Sequence, residues 1–308
     1  MTKLYILSGF LGAGKTTALV KMIDRLSDQR IGIIQNEFGK LSIDGLILKS
    51  HPGIELVEIN RGSVFCSCLE KTFEQALGEM ADRDFDYLFV ESSGWGDPSN
   101  CQQILDAVEA ESGKNFDFRG VLCFVDALNF PDQIRTEETA FRQLKHCHLT
   151  ILTKTDLVSE EQASSVREAV RQINPVCGII ESVMGEMDLS FLREDLLANQ
   201  WAEAEETTNS AETKPKSISL TFEGSVERES MDSFLRAVAS DAYRIKGFGL
   251  IGQKWYQVDV VGAQIDYKEA GEQEKSQLVF ISKIGPQIIR RISDEWKSRV
   301  GTPMTMKN

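Results

Sequence analysis

From Gly9 to Thr17 the chain reads Gly-Phe-Leu-Gly-Ala-Gly-Lys-Thr-Thr, which fills every fixed position of the phosphate-loop pattern G-x-x-x-x-G-K-[ST]. Glycines at 9, 12 and 14 let successive backbone N–H groups turn inward around an anion, those of Ala13, Thr16 and Thr17 among them. A helix beginning here adds a favourable dipole. Lys15 can then reach the β- and γ-phosphates of a nucleoside triphosphate, and the Thr16 hydroxyl can ligate Mg²⁺. The competing reading is a glycine-rich turn that binds nothing. The complete pattern, with the flanks described below, argues against it.

Two later stretches supply further parts. Glu91 ends an apolar run, where a carboxylate is costly unless a metal or a donor satisfies it. In phosphate-loop proteins that place holds the acidic residue of the Mg²⁺ shell; a solvated strand-end glutamate is the alternative. Gly94, three residues on, can bring its N–H close to a γ-phosphate because it has no side chain to intrude. Farther along, Thr153-Lys154-Thr155-Asp156 follows another apolar run. Asp156 can accept hydrogen bonds from the N1 and N2 donors of guanine, which adenine lacks, and the stem of Lys154 can lie along the base. The usual guanine motif has Asn where this chain has Thr153, and a plain Lys-Asp turn is the alternative.

The elements that must position these residues alternate in type. Leu4 to Leu7 reads as a buried strand before the loop, and Leu19, Val20, Met22, Ile23 and Leu26 recur at helical spacing after it. Ile31 to Gln35, Ile54 to Ile59, Tyr87 to Val90, Val121 to Val125, His148 to Leu152 and Gly178 to Val183 read as further strands. Helical stretches separate them, one over Thr72 to Met80 and one opened by an Asp97 cap with Pro98. This order predicts an α/β domain over residues 1–200 with a mainly parallel sheet covered on both faces. Residues 201–216, rich in Glu, Thr, Ser and Ala, read as a linker. Beyond them the pattern changes to a small α+β domain over 217–308. Its strands are Ser217 to Phe222, Ala242 to Ile251, Trp255 to Val261 and Leu278 to Ile281, with helices over Ser230 to Ala239 and after Pro286. The turn Gly252-Gln253 joins the second and third of these strands.

Composition narrows the classes. A net charge of −13 argues against nucleic acid or an anionic membrane surface as the main partner, since phosphate neutralisation needs clustered Lys and Arg. No apolar run approaches the roughly 20 residues of a membrane span. Apart from one close pair the six cysteines are scattered, unlike a secreted disulfide framework, which points to the cytoplasm.

Taken in order, the phosphate loop, Asn36-Glu37-Phe38-Gly39, Glu91-Ser92-Ser93-Gly94 with Pro98, Val125-Asp126-Ala127 and Thr153 to Leu157 resemble the CobW-like family of phosphate-loop GTPases. Tyr243 to Gly247 and Leu278 to Ile281 resemble that family's C-terminal domain, so the resemblance covers nearly the whole chain. It implies GTP and GDP as ligands with Mg²⁺, Thr16 and Glu91 organising the cation, and a slow GTPase related to urease and hydrogenase accessory GTPases. The implied role is a metallochaperone that delivers a metal or metal-containing cofactor to a client protein. Other readings are an activator of a corrinoid-dependent or nitrile-processing enzyme, a small-molecule kinase, or a metal-free regulatory switch.

The family's Cys-x-Cys-Cys metal motif is incomplete here. The region reads Gly62-Ser63-Val64-Phe65-Cys66-Ser67-Cys68, so Ser63 and Phe65 stand where two thiolates are usual. Cys66 and Cys68, with Glu37 as a further ligand and a partner protein or the mate in a homodimer supplying others, could hold Zn²⁺ or Co²⁺. Two ordinary cysteines beside a helix start are the alternative. His146-Cys147-His148 enters a strand, so its alternate side chains face opposite ways and it reads as a strand start. Cys101, Cys123 and Cys177 read as core.

Overall fold

Four consecutive apolar side chains, Leu4 to Leu7, bury both faces of strand β1 (Lys3–Gly9), and this places β1 in the middle of a sheet. In the computed structural model, which describes residues 1–37, 54–60, 64–65, 70–210 and 212–307, six more strands join it. They are β2 (Ile31–Glu37), β3 (Ile54–Asn60), β4 (Tyr87–Glu91), β5 (Asp117–Asp126), β6 (Leu149–Thr153) and β7 (Gly178–Ser182). The order across the sheet is β3-β2-β4-β1-β5-β6-β7, and every neighbouring pair runs parallel. From β1 the chain moves out to β2 and β3, returns to β4 beside β1, and then moves out on the other side through β5, β6 and β7. The reversal lies at β1, and ligands of such sheets collect beyond the carboxyl ends of the strands at that point.

Alternation along each strand divides the core into two layers. On one face Tyr5, Leu7, Ile33, Phe89, Phe124 and Ile151 pack against Ala18, Leu19, Met22 and Ile23 of helix α1 (Lys15–Arg25) and against Phe191, Leu192 and Leu196. On the other, Leu4, Ile6, Ile34, Val90, Cys123 and Val125 meet α2 (Glu70–Ala81), α3 (Cys101–Ser112) and α6 (Glu160–Ile173). Helices α4 (Phe130–Thr136) and α5 (Glu138–Lys145) lie between β5 and β6 in the chain, and Leu144 of α5 joins this second layer. Helix α6 starts with a capping box formed by Ser159 and Gln162. No described helix is long and apolar enough to cross a membrane.

The chain divides into two units, Met1–Lys214 and Pro215–Asn308. Part of the stretch read as a linker is tied to the first unit. Glu205 N–H donates to the Ser99 carbonyl at 3.1 Å, and Thr208 N–H to Asp97 Oδ2 at 2.9 Å. Its composition lacks apolar residues because polar bonds, not burial of hydrocarbon, hold it.

The second unit is an antiparallel six-stranded sheet in the order β11-β10-β9-β12-β8-β13. Its strands are β8 (Ser217–Phe222), β9 (Ala242–Ile251), β10 (Lys254–Val261), β11 (Gln264–Glu269), β12 (Ser276–Ser282) and β13 (Met304–Lys307). Helices α7 (Arg228–Val238) and α8 (Ile288–Arg299) share the core of this unit with the sheet, and Trp296 sits 4.9 Å from both the Phe222 and Phe234 rings. Gly252, at φ +62°, makes the tight β9–β10 turn. The sequence reading has no counterpart for β11 and β13. Both are short edge strands whose apolar alternation is only two residues long, Ile265 and Tyr267 in β11 and Met304 and Met306 in β13, with polar, exposed residues between them.

Candidate nucleotide site

The phosphate loop leaves β1 through three glycines with positive φ, Gly9 at +133°, Gly12 at +79° and Gly14 at +88°. A Cβ on Gly9 would lie 2.4 Å from the Phe124 carbonyl oxygen, so only glycine lets β1 pass β5 into the turn. Lys15, 7% exposed, arches back over the loop and donates to the carbonyls of Gly9 (2.6 Å) and Phe10 (3.3 Å). The first turn of α1 has no acidic residue and no side-chain cap, so its amide dipoles face no competing anion from that turn.

Beside the loop, Glu91 ends β4 in register with Gln35 of β2 and Leu7 of β1. It is 5% exposed, and both carboxylate oxygens accept hydrogen bonds, Oε1 from Thr16 Oγ1 at 2.6 Å and Oε2 from Gln35 Nε2 at 2.9 Å. Thr16 and Glu91, far apart in sequence, are thus brought together. A hydroxyl and a carboxylate are the hard oxygen donors that suit Mg²⁺. Gln35 was not among the residues singled out in the sequence. The signal was there, because it is a polar residue ending an apolar strand, as Glu91 is.

Asn36, the next residue, is buried and spans three segments. Its Nδ2 donates to the Ile59 carbonyl (2.9 Å), and its Oδ1 accepts from Val64 N–H (3.0 Å) and Ser93 N–H (3.2 Å). The end of β3, the turn at Val64-Phe65 and the segment after Glu91 are tied to one side chain. The backbone of Glu37 closes β2 opposite Asn60. Cys66 and Cys68 lie outside the described residues, as does the side chain of Glu37. Among the described residues no group of three or more His, Cys, Asp or Glu side chains could hold a metal ion.

Gly94 packs directly on the loop, where a Cβ would stand 2.7 Å from Leu11 Cα. The following segment is held from outside. Gln143 Nε2 donates to the Gly96 carbonyl at 2.8 Å, and Asn209 Nδ2 to that of Trp95 at 2.9 Å. The Trp95 ring lies 5.6 Å from that of Phe10. Asp97 is fully buried, caps Pro98–Asn100 through Ser99 N–H, and receives Arg142 Nε at 2.7 Å. Burial works to raise the Asp97 pKa, but the Thr208 amide and the Arg142 guanidinium outweigh it and hold the carboxyl below its usual value.

At the other end of the loop, Thr153 turns inward and its Oγ1 donates to the Ala13 carbonyl at 3.0 Å, with the Val125 carbonyl at 3.2 Å. It braces the phosphate loop to β6. Lys154 has φ +57°, and its Nζ lies 2.7 Å from Oδ2 of the buried Asp126. Asp126 also accepts from Leu128 N–H at 3.0 Å and Asn129 Nδ2 at 2.8 Å, so the carboxylate end of the ion pair is anchored. Asp156 stands exposed on the short turn Thr155–Leu157.

Among the described residues the cysteines and the histidines His146 and His148 are core. Cys101, Cys123, Cys147 and Cys177 are buried free thiols. Burial pushes the Cys101 thiol up to about 12. His148 Nδ1 accepts Val121 N–H at 3.0 Å, and burial pushes its pKa down to about 4. The His146-Cys147-His148 run is therefore a buried approach to β6, not a ligand set.

Residues 3–181 match the family described as CobW/HypB/UreG, nucleotide-binding domain, and residues 216–293 match the cobalamin synthesis protein cobW C-terminal domain. Zinc chaperone YjiA of Escherichia coli (strain K12) is 30% identical over 193 residues, 61% of this chain and 59% of that protein. The match thus takes in less than two thirds of that relative's own length. Zinc chaperone CobW of Sinorhizobium sp. is 27% identical over 327 residues, 90% of this chain and 91% of that protein. The crystal structure of the Zn(II)-bound YjiA GTPase from E. coli is 22% identical with a TM-score of 0.47, covering 97% of this chain and 98% of that one.

Proposed function

The chain belongs to the CobW/HypB/UreG family, and from that premise we propose that it binds GTP with Mg²⁺ and hydrolyses it to gate delivery of a metal to a client protein. The observation that carries the reading is the Thr16–Glu91 hydrogen bond at 2.6 Å beside a complete phosphate loop. Thr16 and Glu91 would hold Mg²⁺, which when bound neutralises charge on the β- and γ-phosphates. Lys15 exchanges its loop carbonyls for phosphate oxygens. Backbone N–H groups from Gly12 to Thr17, with that of Gly94, receive the remaining phosphate charge. Lys154, fixed by Asp126, presents its stem to the base, and Asp156 selects guanine.

The cargo in this reading is a transition metal held by Glu37, Cys66 and Cys68. Relatives carrying zinc in their names favour Zn²⁺, with Co²⁺ next. The client is a metalloprotein or cofactor-dependent enzyme, and a homodimer mate can complete the ligand set. Free buried thiols fit a reducing compartment, so we place the chain in the cytoplasm. Asn36 supports coupling between nucleotide and metal, since it ties the Ser93 backbone beside the loop to the Val64 backbone two residues before Cys66. Metal affinity measured with a non-hydrolysable GTP analogue should differ from that with GDP by at least about fivefold. Glu37→Ala should shrink the difference. Equal affinities in the two nucleotide states would sink the chaperone reading.

A further inference from the structure

The nucleotide corner contains polar atoms that its own contacts leave unsatisfied. Gln35 is 1% exposed, and its Nε2 is committed to Glu91 Oε2 at 2.9 Å. An ionised carboxylate only accepts, so the amide must turn its nitrogen to Glu91 and its oxygen away. That oxygen, Oε1, is buried and has no hydrogen-bond partner. It is not isolated. Ser93 Oγ, two residues past the end of β4, and Ser8 Oγ, next to the end of β1, are also buried without a partner. Gln35 and Ser93 belong to the carboxyl ends of the adjacent strands β2 and β4, whereas Ser8 shares the face of β1 that carries Leu4 and Ile6, opposite the face that carries Gln35. Unsatisfied buried polar groups are rare and need an explanation, and the Gln35 oxygen, held beside Glu91, points to a donor that arrives with a ligand.

We propose that Gln35 is a positioning residue with two functions at this rim. Its Nε2 fixes the rotamer of Glu91, leaving Oε1 of that carboxylate beside Thr16. Its own Oε1 accepts from a donor that arrives with the hydrated Mg²⁺–nucleotide. Partners behind the direct ligands commonly orient those ligands and tune the ion, and Mg²⁺ keeps several waters, each a donor. A carboxylate at position 35 could not do the same when ionised. It would repel Glu91 and have no proton to give.

The inference rests on the Mg²⁺–GTP reading, and its test separates the two. Binding of a fluorescent non-hydrolysable GTP analogue is titrated with Mg²⁺ and again with a chelator, for the native chain and Gln35→Met. The substitution keeps the length and removes both polar atoms. Chelator affinity should stay within about twofold, the nucleotide-free melting temperature should fall because the buried Glu91 Oε2 loses its donor, and the Mg²⁺-dependent gain in affinity should fall by about tenfold. A gain undiminished in Gln35→Met overturns the role of Gln35. No Mg²⁺-dependent gain in the native chain overturns the underlying reading instead. Gln35→Glu gives a second, independent readout through pH. Protonated, the new side chain can donate to Glu91 and still offer a carbonyl, so relative to the native chain its Mg²⁺-dependent gain should recover as pH is lowered from 8.5 to 5.5. A relative gain that grows with rising pH would mean that position 35 meets the ion as a charge, and would overturn the positioning role.

Discussion

At the phosphate end of the cleft Glu91 is 5% exposed and has both oxygens bonded, whereas at the base end Asp156 stands in solvent and only its neighbours are fixed. The difference follows from what each carboxylate would cost without a ligand. A buried, unpaired carboxylate is expensive, so folding must satisfy Glu91, and the bonds that do so also set its geometry for a cation. An exposed carboxylate costs nothing in water, so Asp156 folds without needing a partner and, under the proposed function, would gain one only when a base covers it. In the proposed reading, then, the phosphate-binding groups are preorganised by the fold, while base selection is decided on binding. Thr153 stands between the two ends, bonded to the loop by its hydroxyl.

The largest expected effect tests the preorganised end. Lys15→Ala removes the charge proposed to meet the β- and γ-phosphates, and single-turnover GTP hydrolysis should drop by at least about 100-fold. Turnover that survives in pure protein would separate the loop from the chemistry. Next comes the open end. Asp156→Ala should reduce the preference for GDP over ADP by roughly 100-fold, the loss expected for charged hydrogen bonds to a desolvated base. Because Asp156 is exposed, its loss should change folding stability by less than about 0.5 kcal/mol. A preference that persists in this variant would assign base selection elsewhere.

A smaller effect is expected between the ends. Thr153→Val keeps the shape and deletes the hydroxyl that reaches the Ala13 carbonyl. Loss of one such bond costs about 1 kcal/mol, so affinity for guanine and adenine nucleotides should weaken together by about fivefold. If guanine nucleotides weaken while adenine nucleotides do not, Thr153 reads the base. The smallest change at the cleft should come from acid. His148, whose folded pKa of about 4 lies below the ordinary 6.5, is neutral in both states above pH 6.5. Below that the unfolded chain takes up a proton at His148 that the folded state refuses, so His148 alone lowers stability between pH 6.5 and 4 by at most about 1.4 kcal/mol per pH unit. Denaturant midpoints across this window should flatten in His148→Gln, with the guanine-to-adenine ratio unmoved in either protein. A slope of the same size in the variant would acquit His148.

Much of this cleft was legible in the sequence because its parts are fixed by backbone needs. The glycines, Lys15 and Thr16 are recognisable by spacing, and Glu91 by the oddity of a charge closing an apolar strand. Gln35, Asn36 and Asp126 close strands in the same way, yet a single polar residue at a strand end gives no hint of its partner. Asn36 shows the difficulty, since its three bonds go to residues 59, 64 and 93. Thr153 read as a departure from a motif, and the structure gives it a bond to the loop that spacing cannot show. The fold followed the same division. Strands with apolar runs were plain, while β11 and β13 have only two alternating apolar residues each, too short a period to stand out, and the segment at 205–209 rests on polar bonds.

The central place of β1 also bears on the order in which the molecule is made. Gly9 pairs with Phe124 and Leu7 with Glu91, so the first strand synthesised gains its two neighbours only after long intervals. At roughly 5–20 residues per second, the 115 residues from Gly9 to Phe124 take about 6–23 s to emerge. Until then the phosphate loop hangs from a strand with open hydrogen-bonding edges, a natural client for chaperones that shield nascent chains. Chains arrested before Phe124 leaves the ribosome should have the loop cut readily by protease, and chains arrested well beyond residue 126 should resist.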